Sequence, residues 1–319
     1  MTKIYRDYDQ QGLDAQYNNR ARFPNYVEHF TAWQDWSRAT RAAIPAALDL
    51  AFGAAPEERL DLFPAEAPGA PLYLFIHGGY WYSLDKSDYS YVAEGMRSQG
   101  IATAVSNFGL APAHDMDEIV RQNRAALVWL WRNAAALGYD RSRIYVAGHS
   151  AGGHLAALLM STDWPRLAPD LPADLVKGAC AIGGIFDLEP IRLSFLNEKL
   201  HLTPEQVERH SPLRRRYAVP RPLLLIVAAD ESDEFHRQSR DMAEFWKGIG
   251  APAELVVPPG LDHFDVVNQL RDPDCQLVHL QLRHMQGCFP GSVAKFGAAH
   301  GGAGPALQRC SSRTSFQRL

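Results

Sequence analysis

The sequence predicts an α/β protein: a mostly parallel, twisted sheet with helices on both faces and a small cap. Three observations carry this expectation. Short apolar runs at 72–76, 143–147, 177–183 and 223–228 have the length of buried strands and alternate with helical stretches. Residues 143–161, RIYVAGHSAGGHLAALLMS, read as strand, tight turn and helix in immediate succession. Residues 185–220 break the alternation, as an insertion over the carboxyl ends of parallel strands would. A chain of 319 residues that is 46% hydrophobic can bury one large core.

Composition narrows the function classes. The net charge of −4 comes from 36 acidic and 32 basic residues without a basic run, which argues against a nucleic-acid surface. The mean hydropathy is −0.24, and no apolar run approaches the ~18 residues of a membrane span. The first ten residues, MTKIYRDYDQ, lack the apolar core of a signal peptide. Cys180, Cys275, Cys288 and Cys310 form no C-x-x-C pair, and Cys180 sits in an expected strand as an apolar filler. These features together suit a reducing cytoplasm, although an even cysteine count leaves room for a disulfide.

The elements follow in order. Tyr26, Phe30, Trp33 and Trp36 have helical spacing, so a helix is expected over 25–42. The aromatics of residues 1–44 are read as packing this segment onto the body rather than touching a substrate. Alternation at 48–52 and 58–63 predicts an antiparallel hairpin. The strand at 72–76 precedes a helix over 86–99, a strand over 101–107 and a helix over 115–137. Beyond the 143–161 unit and the 177–183 strand, the insertion carries Thr203-Pro204-Glu205-Gln206, a helix-start signature. A helix over 233–249, a strand over 253–257 and a last helix over 264–285 complete a catalytic domain at 45–285. Residues 286–319 are rich in glycine, contain four basic and no acidic residues, and are expected to be a disordered tail.

The chemistry centres on Gly148-His149-Ser150-Ala151-Gly152. A serine hydroxyl is a weak nucleophile and must stand clear of the sheet to meet a base. Small flanking residues permit the sharp turn, and the N–H of Ala151 opens the helix where negative charge is stabilised. This is the nucleophile elbow of the α/β-hydrolase fold. His77-Gly78-Gly79-Tyr80-Trp81 directly follows the 72–76 strand, where that fold places a second group of oxyanion donors. His263 follows the last strand and is the expected base. The acid lies in Ala229-Asp230-Glu231-Ser232-Asp233-Glu234, where Asp230 and Glu231 both sit close to the strand end.

HGGYW, GHSAGG, ESDEFHRQS and DHFDVV together resemble the arylformamidase (kynurenine formamidase) branch of the α/β-hydrolases, related to the hormone-sensitive-lipase-like esterases. The esterase branch usually carries a third glycine where Tyr80 stands. The resemblance covers residues 45–285. It implies that Glu231, heading E-S-D-E-F where the family has a D-S-P-E-F-type stretch, is the acid. It also implies the backbone amides of Gly79 and Tyr80 as oxyanion donors alongside Ala151.

The expected function is acyl transfer by Ser150, Glu231 and His263. The resemblance implies a small acyl group, formyl on an aryl amine such as N-formyl-kynurenine, and with it tryptophan breakdown. Trp81, Phe186 and Leu188 are the expected pocket walls, with Tyr80 adding to them. The sequence calls for no cofactor, and His77, His149 and His154 lack the spacing of a metal-ligand set. The expected partner is a small-molecule amide or ester, with neither nucleic acid nor membrane, and a homodimer stands open beside a monomer. A carboxylesterase for short-chain or aryl esters is the first alternative. A non-catalytic ligand-binding protein of the same fold is the second; such proteins lose the nucleophile or base that this chain retains.

Overall fold

The computed structural model describes residues 2–287; the expected tail lies outside them apart from Gln286 and Gly287. Eight strands form one sheet: β1 (Ala47–Ala51), β2 (Arg59–Phe63), β3 (Ala70–Ile76), β4 (Ala102–Ser106), β5 (Tyr139–His149), β6 (Val176–Ile182), β7 (Leu223–Ile226) and β8 (Ala253–Val256). Their order is β1-β2-β4-β3-β5-β6-β7-β8. β1 and β2 form the antiparallel hairpin, β2 pairs antiparallel with β4, and every other pairing is parallel.

Both faces of the sheet are covered. Along β3, Leu72, Leu74 and Ile76 join one hydrophobic cluster while Tyr73 and Phe75 join the other. A two-residue period with apolar side chains on both faces is why β3 reads as an unbroken apolar run. The strand order reverses at β3: β4 lies on one side and β5 on the other. Parallel sheets open a crevice outside the carboxyl ends of the strands at such a point. The loops after β3 and β5 carry His77–Trp81 and Ser150, so topology alone brings the two motifs together.

Most helices match their expected bounds. Tyr26–Ala43 and Met116–Leu137 are single helices, the second capped by Asp115, whose side chain accepts from the Glu118 N–H. The insertion forms three short helices, Glu189–Leu193, Asn197–Leu200 and Pro204–His210. The last of these is closed by a reciprocal capping box between Thr203 and Gln206.

Two helices are broken where continuity was expected. Residues 86–99 split into a 3₁₀ turn, Lys86–Asp88, and a helix, Val92–Ser98. Lys86 is drawn inward, with its ammonium 2.6 Å from Asp61 and 2.8 Å from Asp49, and Asp85 and Asp88 close a tight box around the turn. Residues 264–285 split into Asp265–Asn268, a 3₁₀ turn at Gln269–Arg271, and Gln276–Met285. Pro273 disfavours helical backbone at Asp272, which sits at ψ 115°. Among the described residues no helix is long and apolar enough to cross a membrane.

Candidate active site

Ser150 leaves β5 in the left-handed region, with φ 56° and ψ −116°, and the helix Ala151–Leu159 starts at the next residue. A non-glycine residue there costs on the order of 1–3 kcal/mol, sustained only where the surroundings fix it. The surroundings do so. The Ser150 N–H donates to the Ile182 carbonyl at 2.7 Å. A Cβ on Gly148 would stand 2.2 Å from the Gly152 oxygen, and one on Gly152 would stand 2.0 Å from the Ile76 oxygen. Both glycines are therefore required by close backbone approach.

His263 follows β8 and is nearly fully buried. Its Nδ1 lies 2.6 Å from Glu231 Oε2, and Glu231 Oε1 accepts from the Ala228 N–H at 2.9 Å. The two readings of the acidic stretch are thus separated: Glu231 is 4% exposed and faces the imidazole, while Asp230 points to solvent. Gly183, at the end of β6, makes room for the pair; a Cβ there would be 2.9 Å from His263 Nδ1 and 3.2 Å from Glu231 Oε2. The sequence offers only a strand-ending glycine as a signal for this role. The Ser150 hydroxyl borders the same cavity as His263 and has no hydrogen-bond partner among the described residues. Such contacts commonly tighten only when substrate binds.

The loop after β3 takes positive φ at three successive residues: Gly79 (104°), Tyr80 (49°) and Trp81 (58°). Among the described residues the N–H groups of Gly79, Tyr80 and Ala151 donate to no protein acceptor. Gly79 and Tyr80 line the same cavity as Ser150, and Ala151 is the residue after it, so all three unengaged N–H groups belong at or beside that cavity.

The three histidines beside the motifs are structural. His149 is buried, its Nε2 is 2.8 Å from the His263 carbonyl oxygen, and burial pushes it well below the usual imidazole pKa. It steadies the loop that carries His263. His77 is buried, stacks on Phe108 at 4.3 Å and meets Asn107 Oδ1 at 3.1 Å. His154 accepts from Trp81 Nε1 at 3.2 Å and donates from Nε2 to the His210 carbonyl at 2.7 Å, with burial holding its pKa down to about 3.

Those depressed values have a consequence in acid. Burial also holds His284 down, to about 4. Both groups take up protons in the unfolded chain below about pH 6.5, but in the fold only near their lowered values. Their stability contribution is therefore intact above pH 6.5 and declines as the pH falls toward 4. Going from pH 7 to pH 5 should cost about 2 kcal/mol for each group. Urea midpoints at the two pH values check this, and His154→Gln should flatten the decline; equal midpoints for the native chain would contradict it.

His29, Asp262 and Asp265 bring ligand-type atoms within 4.8 Å of one another. The contacts already in place do not favour a metal centre. His29 Nδ1 meets the Asn268 amide nitrogen and Nε2 the Asn25 amide nitrogen, each at 3.1 Å, with Asp265 3.7 Å from Nε2. Asp262 Oδ1 accepts from the backbone N–H groups of Phe264 and Asp265. A metal would have to displace these contacts.

The cavity over Ser150 holds about 680 Å³ of space including its open mouth. Here the structure corrects two expectations. Trp81, Phe186 and Leu188 do not line it; all three are fully buried in the core. The turn at Trp81 drives its ring beneath the elbow helix onto His154. The walls come instead from Tyr17, Phe30, Tyr80, Tyr82, Phe195 and Phe264. The N-terminal segment is therefore part of the site as well as packing on the body. It is tied down by the Tyr80 hydroxyl donating to the Tyr17 carbonyl at 2.7 Å and by Arg22 donating to the Asp230 and Glu231 carbonyls.

Comparison with known proteins agrees with this geometry. The BD-FAE family model matches residues 60–171. The kynurenine formamidase of Danio rerio is 31% identical over 264 residues, covering 80% of this chain and 87% of that protein. The kynurenine formamidase of Salmo salar is 30% identical over 294 residues, covering 88% of this chain and 96% of that protein. The chain belongs to the kynurenine formamidase family. As a kynurenine formamidase relative it is a hydrolase of the α/β-hydrolase type. The fold extends further: a hyperthermophilic esterase from Pyrobaculum calidifontis superposes with a TM-score of 0.68 over 82% of this chain and 92% of that one, at 19% identity.

Proposed function

We propose that this chain hydrolyses aryl formamides such as N-formyl-kynurenine, with Ser150 as nucleophile, His263 as base and Glu231 as the acid that orients it. Membership of the kynurenine formamidase family over nearly the whole chain carries the formamide, and the aromatic cavity over Ser150 supports the aryl group. Ser150 Oγ attacks the formyl carbonyl as His263 Nε2 takes its proton. Glu231 holds His263 Nδ1–H and stabilises the imidazolium. The amides of Gly79, Tyr80 and Ala151 stabilise the oxyanion. His263 then returns the proton to the aryl amine, which leaves, and water deacylates the formyl-serine by the same route to give formate. The reading includes a cytoplasmic setting, which the free, buried Cys180 and Cys275 suit.

A carboxylesterase can use the same nucleophile, base and oxyanion donors. An aryl ester has a better leaving group than an aryl formamide, so an enzyme built for the amide cleaves the ester as well. The test is kcat/KM on N-formyl-kynurenine beside p-nitrophenyl acetate. The proposal expects formamide turnover with the higher specificity constant. Rapid ester cleavage with negligible formamide turnover would leave a carboxylesterase.

A further inference from the structure

The short helix Asn19–Arg22, joined through Asn18 to the end of the helix Gln10–Tyr17, brings two unusual groups to the cavity wall. Of the residues that line the cavity, Arg20 alone carries a permanent charge. It is exposed at the mouth, with its guanidinium over the Tyr26 ring at 5.4 Å and the Phe30 ring at 5.7 Å. Among the described residues it forms no hydrogen bond and no ion pair, whereas Arg22, half a turn on, is committed to the carbonyls of Asp230 and Glu231. Its position is fixed by rings, and its donors are free.

Beside it stands Asn19, 4% exposed, whose Nδ2 has no hydrogen-bond partner among the described residues. A buried donor left unpaired costs roughly 1–3 kcal/mol, so such a group is worth explaining. Tyr82 faces the same corner: burial raises its phenol pKa and Arg20 opposes the rise. Lys199 from the cap sits 5.0 Å from the Tyr82 ring, so a second cation adds to the positive field at the mouth.

We propose that Arg20 and Asn19 form a carboxylate subsite that selects aryl acyl substrates whose side chain bears a carboxylate. The inference rests on the proposed acyl-transfer site at Ser150. A carboxylate at the mouth would receive the planar fork of Arg20 and the amide of Asn19, while the acyl group lies against Ser150 and the aryl ring between the aromatic walls. The site thereby distinguishes a charged amino-acid-type formamide from a neutral anilide. Arg20 is a specificity determinant and takes no part in bond making.

The test uses two pairs of substrates on the full chain: N-formyl-kynurenine against formanilide, and a carboxylate-bearing aryl acetate against phenyl acetate. In Arg20→Gln, KM for the carboxylated member should rise roughly 10- to 100-fold more than for its neutral partner, the value of a charge-assisted hydrogen bond. The change should fall on KM with little effect on kcat, and Arg20→Lys should recover part of it. Asn19→Ala should shift the same ratio in the same direction by a smaller factor. Equal changes on both members of a pair would overturn the proposal and leave Arg20 a packing residue, and so would unchanged KM on the carboxylated substrates. The ratio is taken within one variant, so a general loss of folded enzyme cancels. If the native chain cleaves neither formamide, the formamidase reading fails, while the ester pair still decides the role of Arg20.

Discussion

Ser150→Ala should lower kcat at least ~10⁴-fold while leaving KM within a few-fold and the fold intact. Among the described residues the hydroxyl makes no hydrogen bond, and the contact that fixes the residue, from its N–H to the Ile182 carbonyl, is backbone. Removing the oxygen therefore deletes the proposed nucleophile and little else. The residual rate would come from the oxyanion donors and from binding, which survive the change. Steady-state kinetics with circular dichroism on the same preparation checks both halves. Near-native kcat in a folded variant would place the nucleophile elsewhere.

Glu231→Gln should cost about 10³- to 10⁴-fold in kcat. A glutamine can still accept from the Ala228 N–H through its oxygen. Its amide nitrogen would then face His263 Nδ1, where Glu231 Oε2 now sits at 2.6 Å. That favours the tautomer with the proton on Nε2, which cannot take one from Ser150. Glu231→Asp keeps the charge and should lose less than Glu231→Gln. Asp230→Asn should stay within about two-fold, because that side chain points to solvent. A large loss at Asp230 with little at Glu231 would reverse the assignment of the acid.

The parts of the site that were legible in the sequence are local or topological. Gly148–Gly152 lies between a contiguous strand and helix, so its context could be checked without a fold. His263 and the Asp230/Glu231 choice followed from their positions after the last two strands. The choice itself needed geometry, because adjacent residues at a strand end differ only in which one turns inward. The pocket walls were not legible for a related reason. Trp81 follows two residues with positive φ, and no spacing rule tells which face its ring takes. Phe186 and Leu188 went into the core while Phe195, in the same insertion, reached the cavity. The contribution of Tyr17 depends on a contact more than 200 residues away in the chain, its hydroxyl donating to Glu234 at 2.9 Å, and the short helix of Asn19 and Arg20 follows directly from it. Aromatic periodicity announced a packing segment there and gave no sign of a wall. In the broken helices, Pro273 was a visible stop signal, whereas the inward pull on Lys86 came from Asp49 and Asp61 on other strands.

The most direct test of the central claim is to trap the covalent intermediate. The native chain would be quenched in acid within its first turnovers on N-formyl-kynurenine, or after reaction with an aryl phosphonate, and the peptides mapped by mass spectrometry. The account expects a single modified peptide carrying the formyl or phosphonyl group on Ser150, absent from Ser150→Ala and strongly reduced in Glu231→Gln. Modification of another residue, or formamide turnover that persists when Ser150 is fully blocked, would contradict it.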